Sequence, residues 1–204
     1  MCVKPGRYVG ISNSDYHASE GLSRSQLDLF SKTPRHYKEC IREETDAMRK
    51  GTAFHALLLE PDTFDAQIAI APDVPKRSNA DKELHRQFEL DNAGKTVISS
   101  KQYGEILGMV ESARKNSFID AILRHPGKAE TSFWWNDPDT GILCKCRPDY
   151  LTDDLIIVDA KSTQSVDKDD FVYGIARRRY YLQVGFYALG VEAIMKQRVG
   201  GLIS

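Results

Sequence analysis

The chain lacks any apolar run near the roughly 20 residues that a bilayer-spanning helix needs. Its opening, Met1-Cys-Val-Lys-Pro-Gly-Arg7, is polar and turn-like and has none of the apolar stretch of a secretory signal. A cytoplasmic protein is the expectation. Cysteine is scarce: Cys2, Cys40, Cys144 and Cys146 are unevenly spaced and do not form the framework of a small disulfide-rich domain. Cys144 and Cys146 make a C-x-C pair, but they stand in an alternating stretch that reads as a strand. No second close pair completes a zinc site, so all four read as free thiols. An excess of charge of one sign is also missing. With 28 Lys and Arg against 29 Asp and Glu, the net charge is −1, which argues against a passive coat for a polyanion. It suits an enzyme whose acidic site offsets a local basic surface. Repeats, low-complexity segments and linkers are absent, and 204 residues suffice for one domain with a substantial core.

What is present is a succession of short punctuated elements. Residues up to Gly21 are rich in Gly, Ser, Asn and Asp and read as irregular. Ser23 with Gln26 three positions on is a capping box opening a helix, and Pro34 opens a second short one through about Ile41. Met48 to Leu59 reads as a buried helix ended by Pro61. Ala66–Ala71 alternates like a strand, and Asn79–Asn92 is a polar helix stopped by Gly94. After a short strand at Thr96-Val-Ile98, Ser99 or Ser100 caps a long helix toward Leu123. Three strands follow, Lys128–Trp135, Ile142–Tyr150 and Leu155–Lys161, separated by turn-rich segments. Asp167 or Asp169 starts another helix, and Tyr180–Lys196 forms the last. The pattern predicts an α/β fold with a central mixed sheet flanked by helices.

The chemistry concentrates in Arg147-Pro-Asp149 and Ile156-Ile-Val-Asp-Ala-Lys-Ser162. Asp159 and Lys161 are two apart on a strand and leave the same face. Asp149 ends the preceding strand, so a tight antiparallel turn sets it beside Asp159. Two carboxylates and an ammonium in that arrangement fit metal-assisted phosphodiester cleavage. A bare D-x-K also reads as an ordinary surface ion pair, and other features must decide between the two.

Those features come as a resemblance. Pro148-Asp149 with Asp159-Ala-Lys161 resembles the PD-(D/E)xK nuclease signature. Gly51-Thr-Ala-Phe-His55 is similar to the G-x-x-x-H helix of its RecB-like branch, and Gln183-Val-Gly-Phe-Tyr187 to the Q-x-x-x-Y helix. An i, i+4 spacing puts Gln183 and Tyr187 on one helical face. The order of the motifs also matches that branch. Further stretches extend the likeness along almost the whole chain: Gly10–His17, Gly21–Leu27, Leu59-Glu-Pro61, Gly94–Val97 and Gly141–Asp149. They resemble RecE-type exonuclease VIII nuclease domains.

The resemblance implies a restriction-endonuclease-like α/β core and an ATP-independent, Mg²⁺-dependent 5′–3′ double-strand DNA exonuclease. Two ions are implied, with Mn²⁺ as a substitute. The 3′ tails it leaves go to a RecT-type annealing partner, and a homo-oligomeric ring is implied too. No Walker A motif is present, in keeping with ATP independence. His55, Asp149, Asp159 and the Ala160 carbonyl become metal ligands, Lys161 assists the nucleophilic water, and Gln183 and Tyr187 position the reacting groups. Glu130 stands as a supporting carboxylate or an exposed strand glutamate, and Thr163 as a hydrogen-bonding residue of the site or a simple strand former. Ser23, Arg24 and Ser25 read as phosphate contacts at a helix start or as capping alone. Arg177, Arg178 and Arg179 read as DNA-backbone contacts or a solvated helix end. The chain stops soon after the Q-x-x-x-Y helix, where RecE-type domains continue. The last strands and helix of the family are therefore expected to be missing. A truncated DNA-binding remnant, or an endonuclease or junction resolvase with the same site, are the alternative readings.

Overall fold

The computed structural model describes residues 3–40, 44–75, 77–162 and 167–203. They fall into two compact units: Met1–Arg42 with His125–Ser204, and Glu43–Arg124. Among the described residues no helix is long and apolar enough to cross a membrane.

The first unit opens with β1 (Gly6–Tyr8) and α1 (Asn13–Ala18), where the sequence reads as irregular. Elements of three and six residues are too short to show a hydrophobic period, and both owe their form to partners elsewhere in the unit. Next come α2 (Arg24–Lys32) and α3 (Pro34–Glu39). The Ser23–Gln26 capping box is present in both directions at α2. Thr33 caps α3, with Pro34 in its first turn.

The second unit begins with α4 (Asp46–Leu59), which Thr45 caps and which buries Ala53, Phe54, Ala56 and Leu58. A 3₁₀ turn at Pro61–Thr63 leads into α5 (Phe64–Gln67), so β2 (Ile68–Ala71) starts two residues later than the alternation suggests. After α6 (Asn79–Asp91), Gly94 takes φ +88° and turns the chain into β3 (Thr96–Ser99), parallel to β2. The long helix expected from Ser99 is two helices, α7 (Ser100–Lys115) and α8 (Ser117–Arg124). Asn116 divides them, its side-chain oxygen accepting from the N–H groups of Phe118 and Ile119. Arg114 secures the joint, donating to the Leu58 carbonyl at 3.0 Å and pairing with Asp120 at 3.2 Å.

The rest of the first unit carries the strands: β4 (Gly127–Ala129), β5 (Ser132–Asn136), β6 (Leu143–Cys146), β7 (Tyr150–Thr152) and β8 (Ile156–Val158). Helices α9 (Lys168–Arg178) and α10 (Tyr180–Met195) follow, and then β9 (Gly201–Ile203). Two of the three strands expected here are each split in two. Glu130, at φ +47°, separates β4 from β5. Pro148, which has no N–H for a ladder, lies between β6 and β7. The halves go to different sheets: one ordered β1-β5-β6 and antiparallel, the other ordered β4-β7-β8-β9 and mixed, because β9 runs parallel to β8. The α/β class with mixed sheet and flanking helices is the one the sequence predicts.

Helix α10 packs on β5 and β6 over a core of Phe133, Trp135, Cys144, Cys146, Leu151, Ile157 and Val191. The close approach depends on Gly190, where a Cβ would sit 2.5 Å from the Trp135 ring and 2.8 Å from the Cys146 sulfur. Cys40, Cys144 and Cys146 are free thiols as expected, and Cys2 lies outside the described residues. On the other face of β6, Lys145 is 2% exposed. Its ammonium donates to the carbonyls of Tyr16 and Ser19, each at 2.7 Å, where α1 ends. A cation satisfying the last carbonyls is a favourable helix terminus. It explains how a six-residue helix is held. Arg147 stacks over the Tyr16 ring at 4.1 Å and donates to the Ser132 hydroxyl and the Ile11 carbonyl.

Candidate active site

Strands β7 and β8 pair Tyr150 with Val158, so Asp149 and Asp159 flank that pair at the same end of the ladder. Asp149 is 8% exposed and accepts the Ala160 N–H at 2.7 Å. Asp159 is 1% exposed, and one of its oxygens accepts from the Lys161 ammonium at 2.6 Å and the Gln183 amide at 3.0 Å. The same Gln183 amide nitrogen donates to the Tyr187 hydroxyl at 2.8 Å. Asp159, Lys161, Gln183 and Tyr187 thus form one hydrogen-bonded set, and the i, i+4 pair on α10 supplies half of it. The backbone N–H of Asp159 donates to the Ile203 carbonyl at 2.8 Å, so β9 supports the strand end that carries the site.

Burial sets the protonation of Tyr187. Desolvation first, and then the charges of Asp149 and Asp159, hold its hydroxyl well above the usual tyrosine range. It therefore stays a neutral donor and acceptor at any working pH.

Glu130, read from the sequence as a supporting carboxylate or an exposed strand glutamate, lies beside Asp149. Its N–H donates to the Asp149 carbonyl at 3.0 Å, and its carboxylate oxygen lies within 4.8 Å of one from Asp149. Two carboxylates at that separation can share one hard divalent cation, whose oxygen ligands sit at about 2.0–2.6 Å. This donor set fits Mg²⁺ or Mn²⁺ better than a thiolate-seeking metal. Arg147, with its guanidinium 3.9 Å from Glu130, tempers the pair's charge. The sequence signal for Glu130 was slight, a single acid in an apparent strand. The left-handed backbone that turns it toward Asp149 is a tertiary feature.

Other residues named from the sequence fall in several places. His55 stands half-buried on α4 of the second unit, meeting the Phe54 ring edge-on at 5.8 Å. Ser23 caps α2 and lies 3.1 Å from the Ser25 hydroxyl. Arg24 donates to the carbonyls of Arg178 and Arg179 at 2.7 and 3.1 Å and pairs with Asp28 at 2.8 Å. It ties α2 to the joint between α9 and α10, a role with no sequence signal. At that joint Arg179 is left-handed, with φ 53° and ψ 44°. Arg177 and Arg178 are exposed in the last turn of α9, and Arg178 donates to the Tyr180 hydroxyl at 2.9 Å. Thr163 lies outside the described residues.

No curated protein matches the chain. Among solved structures it is similar to a "Putative exonuclease" from Eubacterium rectale. That match has 13% identity and a TM-score of 0.58, covering 96% of this chain and 73% of the other. At that identity the likeness is one of fold. A family model described as a PDDEXK-like domain of unknown function (DUF3799) matches residues 23–203. With both acids, the lysine and the Gln–Tyr pair on one restriction-endonuclease-like framework, the chain belongs to this PDDEXK-like family, within the PD-(D/E)xK nuclease superfamily.

Proposed function

We propose that the protein is a divalent-metal-dependent DNA nuclease, and more narrowly an ATP-independent 5′–3′ exonuclease on double-stranded DNA. The observation that carries this reading is the Lys161 ammonium held at 2.6 Å on buried Asp159, where β8 runs out beside Asp149. Asp149, Asp159, the Ala160 carbonyl and Glu130 are the oxygen ligands, and motif order adds His55. Mg²⁺ is the ion such hard donors favour, with Mn²⁺ as the substitute. When bound, the cation neutralises phosphate charge and lowers the pKa of a water.

The chain's own groups do the remaining work. Lys161 orients the attacking water and offsets charge on the phosphate. Gln183 fixes Asp159, and through Asp159 the lysine. Tyr187, kept neutral, anchors Gln183. Hydrolysis adds water to phosphorus and breaks its bond to the 3′ oxygen, leaving the new 5′ phosphate on the shortened strand and releasing the terminal mononucleotide with a 3′ hydroxyl and the 5′ phosphate it already carried. Strand polarity, a RecT-type partner for the 3′ tails and a ring assembly are proposed on the resemblance of motifs alone.

The test incubates the purified chain with linear duplex, covalently closed circles and single strands, with Mg²⁺ or with chelator. Loss of linear duplex alone, with mononucleotides released only when metal is present, supports the reading. Nicked circles point to an endonuclease or resolvase, and binding without turnover to a remnant. Cleavage undiminished in chelator refutes a metal-dependent site.

A further inference from the structure

A cavity of about 180 Å³ opens directly beside Lys161, lined by Lys161, Ser162, Tyr180 and one stripe of α9. The stripe is Asp170, Tyr173, Gly174 and Arg177, spaced i, i+3, i+4, i+7, with Arg178 at its end. Arg177 and Arg178 against Asp170, with Lys161 already paired to Asp159, leave the pocket attractive to an anion. Its two tyrosines add flat apolar surface. The Lys161 ammonium stands 5.5 Å from the Tyr180 ring centre, which links the pocket to the catalytic lysine. Cations with aromatic faces are the combination that holds single nucleotides, the phosphate by charge and the base by stacking.

Gly174 shows that the space is not needed by the fold. A Cβ built there meets no atom of the described residues within 4 Å, and its φ is not in the left-handed range. A glycine inside a helix is less stable than alanine, and packing does not require this one. At about 180 Å³ the cavity is smaller than the roughly 300–1,000 Å³ of typical small-molecule sites. One nucleotide, partly protruding, is the largest occupant it suits, and a duplex does not fit.

We infer that this pocket binds the single nucleotide unit adjoining the scissile phosphate and holds the released deoxynucleoside 5′-monophosphate before it departs. The inference rests on the nuclease reading for its place in the reaction, but its ligand chemistry stands on the pocket alone. The 5′ phosphate lies against Arg177 and Arg178, and the base lies against Tyr173 and Tyr180.

The experiment is calorimetric titration of the full chain, in chelator, with 2′-deoxyadenosine 5′-monophosphate, deoxyadenosine or inorganic phosphate. The monophosphate is expected to bind at least about tenfold more tightly than either part alone. Gly174→Leu fills the cavity from a position where the fold has room, and Tyr173→Ala removes a stacking face. Each is expected to weaken the monophosphate by about tenfold or more, whereas Gly174→Ala leaves its affinity close to the original. Arg177→Gln, at an exposed position, weakens the monophosphate while leaving deoxyadenosine unchanged. Monophosphate binding no tighter than inorganic phosphate, or undiminished in Gly174→Leu, overturns the inference. A chain that binds the monophosphate in this way yet cleaves no DNA refutes the nuclease reading and leaves the pocket standing. A chain that degrades linear duplex but shows no such binding refutes the pocket alone.

Discussion

Replacing Lys161 by alanine separates catalysis from stability in a way the geometry makes quantitative. Lys161 is 21% exposed at its side chain, whereas the Asp159 side chain it pairs with is fully buried. Removing the lysine strands a carboxylate away from water without its ammonium partner. A fully buried pair broken in this way costs about 3–5 kcal/mol, and the partial exposure of Lys161 lowers the expectation to about 2–3 kcal/mol. Asp159→Asn is the opposite case. It removes the buried charge, and the lysine it releases can turn to solvent, so stability changes by within about 1 kcal/mol. The double variant should resemble Asp159→Asn, giving a coupling of about 2–3 kcal/mol, the whole cost of Lys161→Ala. Urea unfolding in chelator measures all three, and a loss of about 2 kcal/mol lowers the midpoint by roughly 1 M. Cleavage of linear duplex should fall by about 10²–10⁴ in Lys161→Ala, as for loss of a positioned proton-transfer group. It should fall as well in the stable Asp159→Asn. Equal stability costs for the two single variants, with no coupling, would refute the account of Asp159 as a buried charge held by Lys161. Full turnover by Lys161→Ala would refute the lysine's role.

Gly190→Ala should destabilise the protein by about 1–3 kcal/mol through overpacking against Trp135 and Cys146, despite alanine's better helix propensity. Thermal unfolding measures it, and a raised midpoint would contradict the packing described. Arg24→Ala and Arg177→Gln should behave differently. The first releases two carbonyls at the α9–α10 joint and lowers stability by about 1–3 kcal/mol. The second leaves stability alone and reduces the salt dependence of DNA binding by about one phosphate contact. Salt titrations of duplex binding distinguish them. Tyr16 and Tyr187 both have hydroxyls raised above the ordinary tyrosine value of 10.0, chiefly by burial. In the unfolded chain they ionise near that ordinary value, so the stability they contribute is full below about pH 10 and is lost as the pH rises beyond it. Phenolate absorbance should show both ionising together with alkaline unfolding, and ionisation of either in the native fold would contradict its burial.

Much of the candidate site's local geometry was legible because side chains two apart on a strand, or four apart on a helix, share a face. Asp159 and Lys161 share a strand face, Gln183 and Tyr187 a helix face, and a short turn returns Asp149 to Asp159. Helix starts were equally plain, since Ser23 and Ser99 cap through contacts only three residues away. Glu130 was not legible as a candidate ligand. Its direction depends on a positive φ that interrupts what the alternation presents as one strand. Nor was Arg24, whose partners Arg178 and Arg179 lie far along the chain.

The sequence by itself therefore determined the α/β class and most helices, which follow from interactions within a few residues or from a repeated period. The acids, the lysine and the Gln–Tyr pair it marked as candidates through the resemblance of their motifs. Only the tertiary structure decided that the strands of the first unit divide between two sheets and that β9 backs the Asp159 strand. It also decided that Lys145 fastens α1, and that one stripe of α9 leaves a cavity at Lys161. Those outcomes depend on groups distant in sequence meeting in space, where burial and hydrogen-bond satisfaction, rather than local propensity, select the conformation.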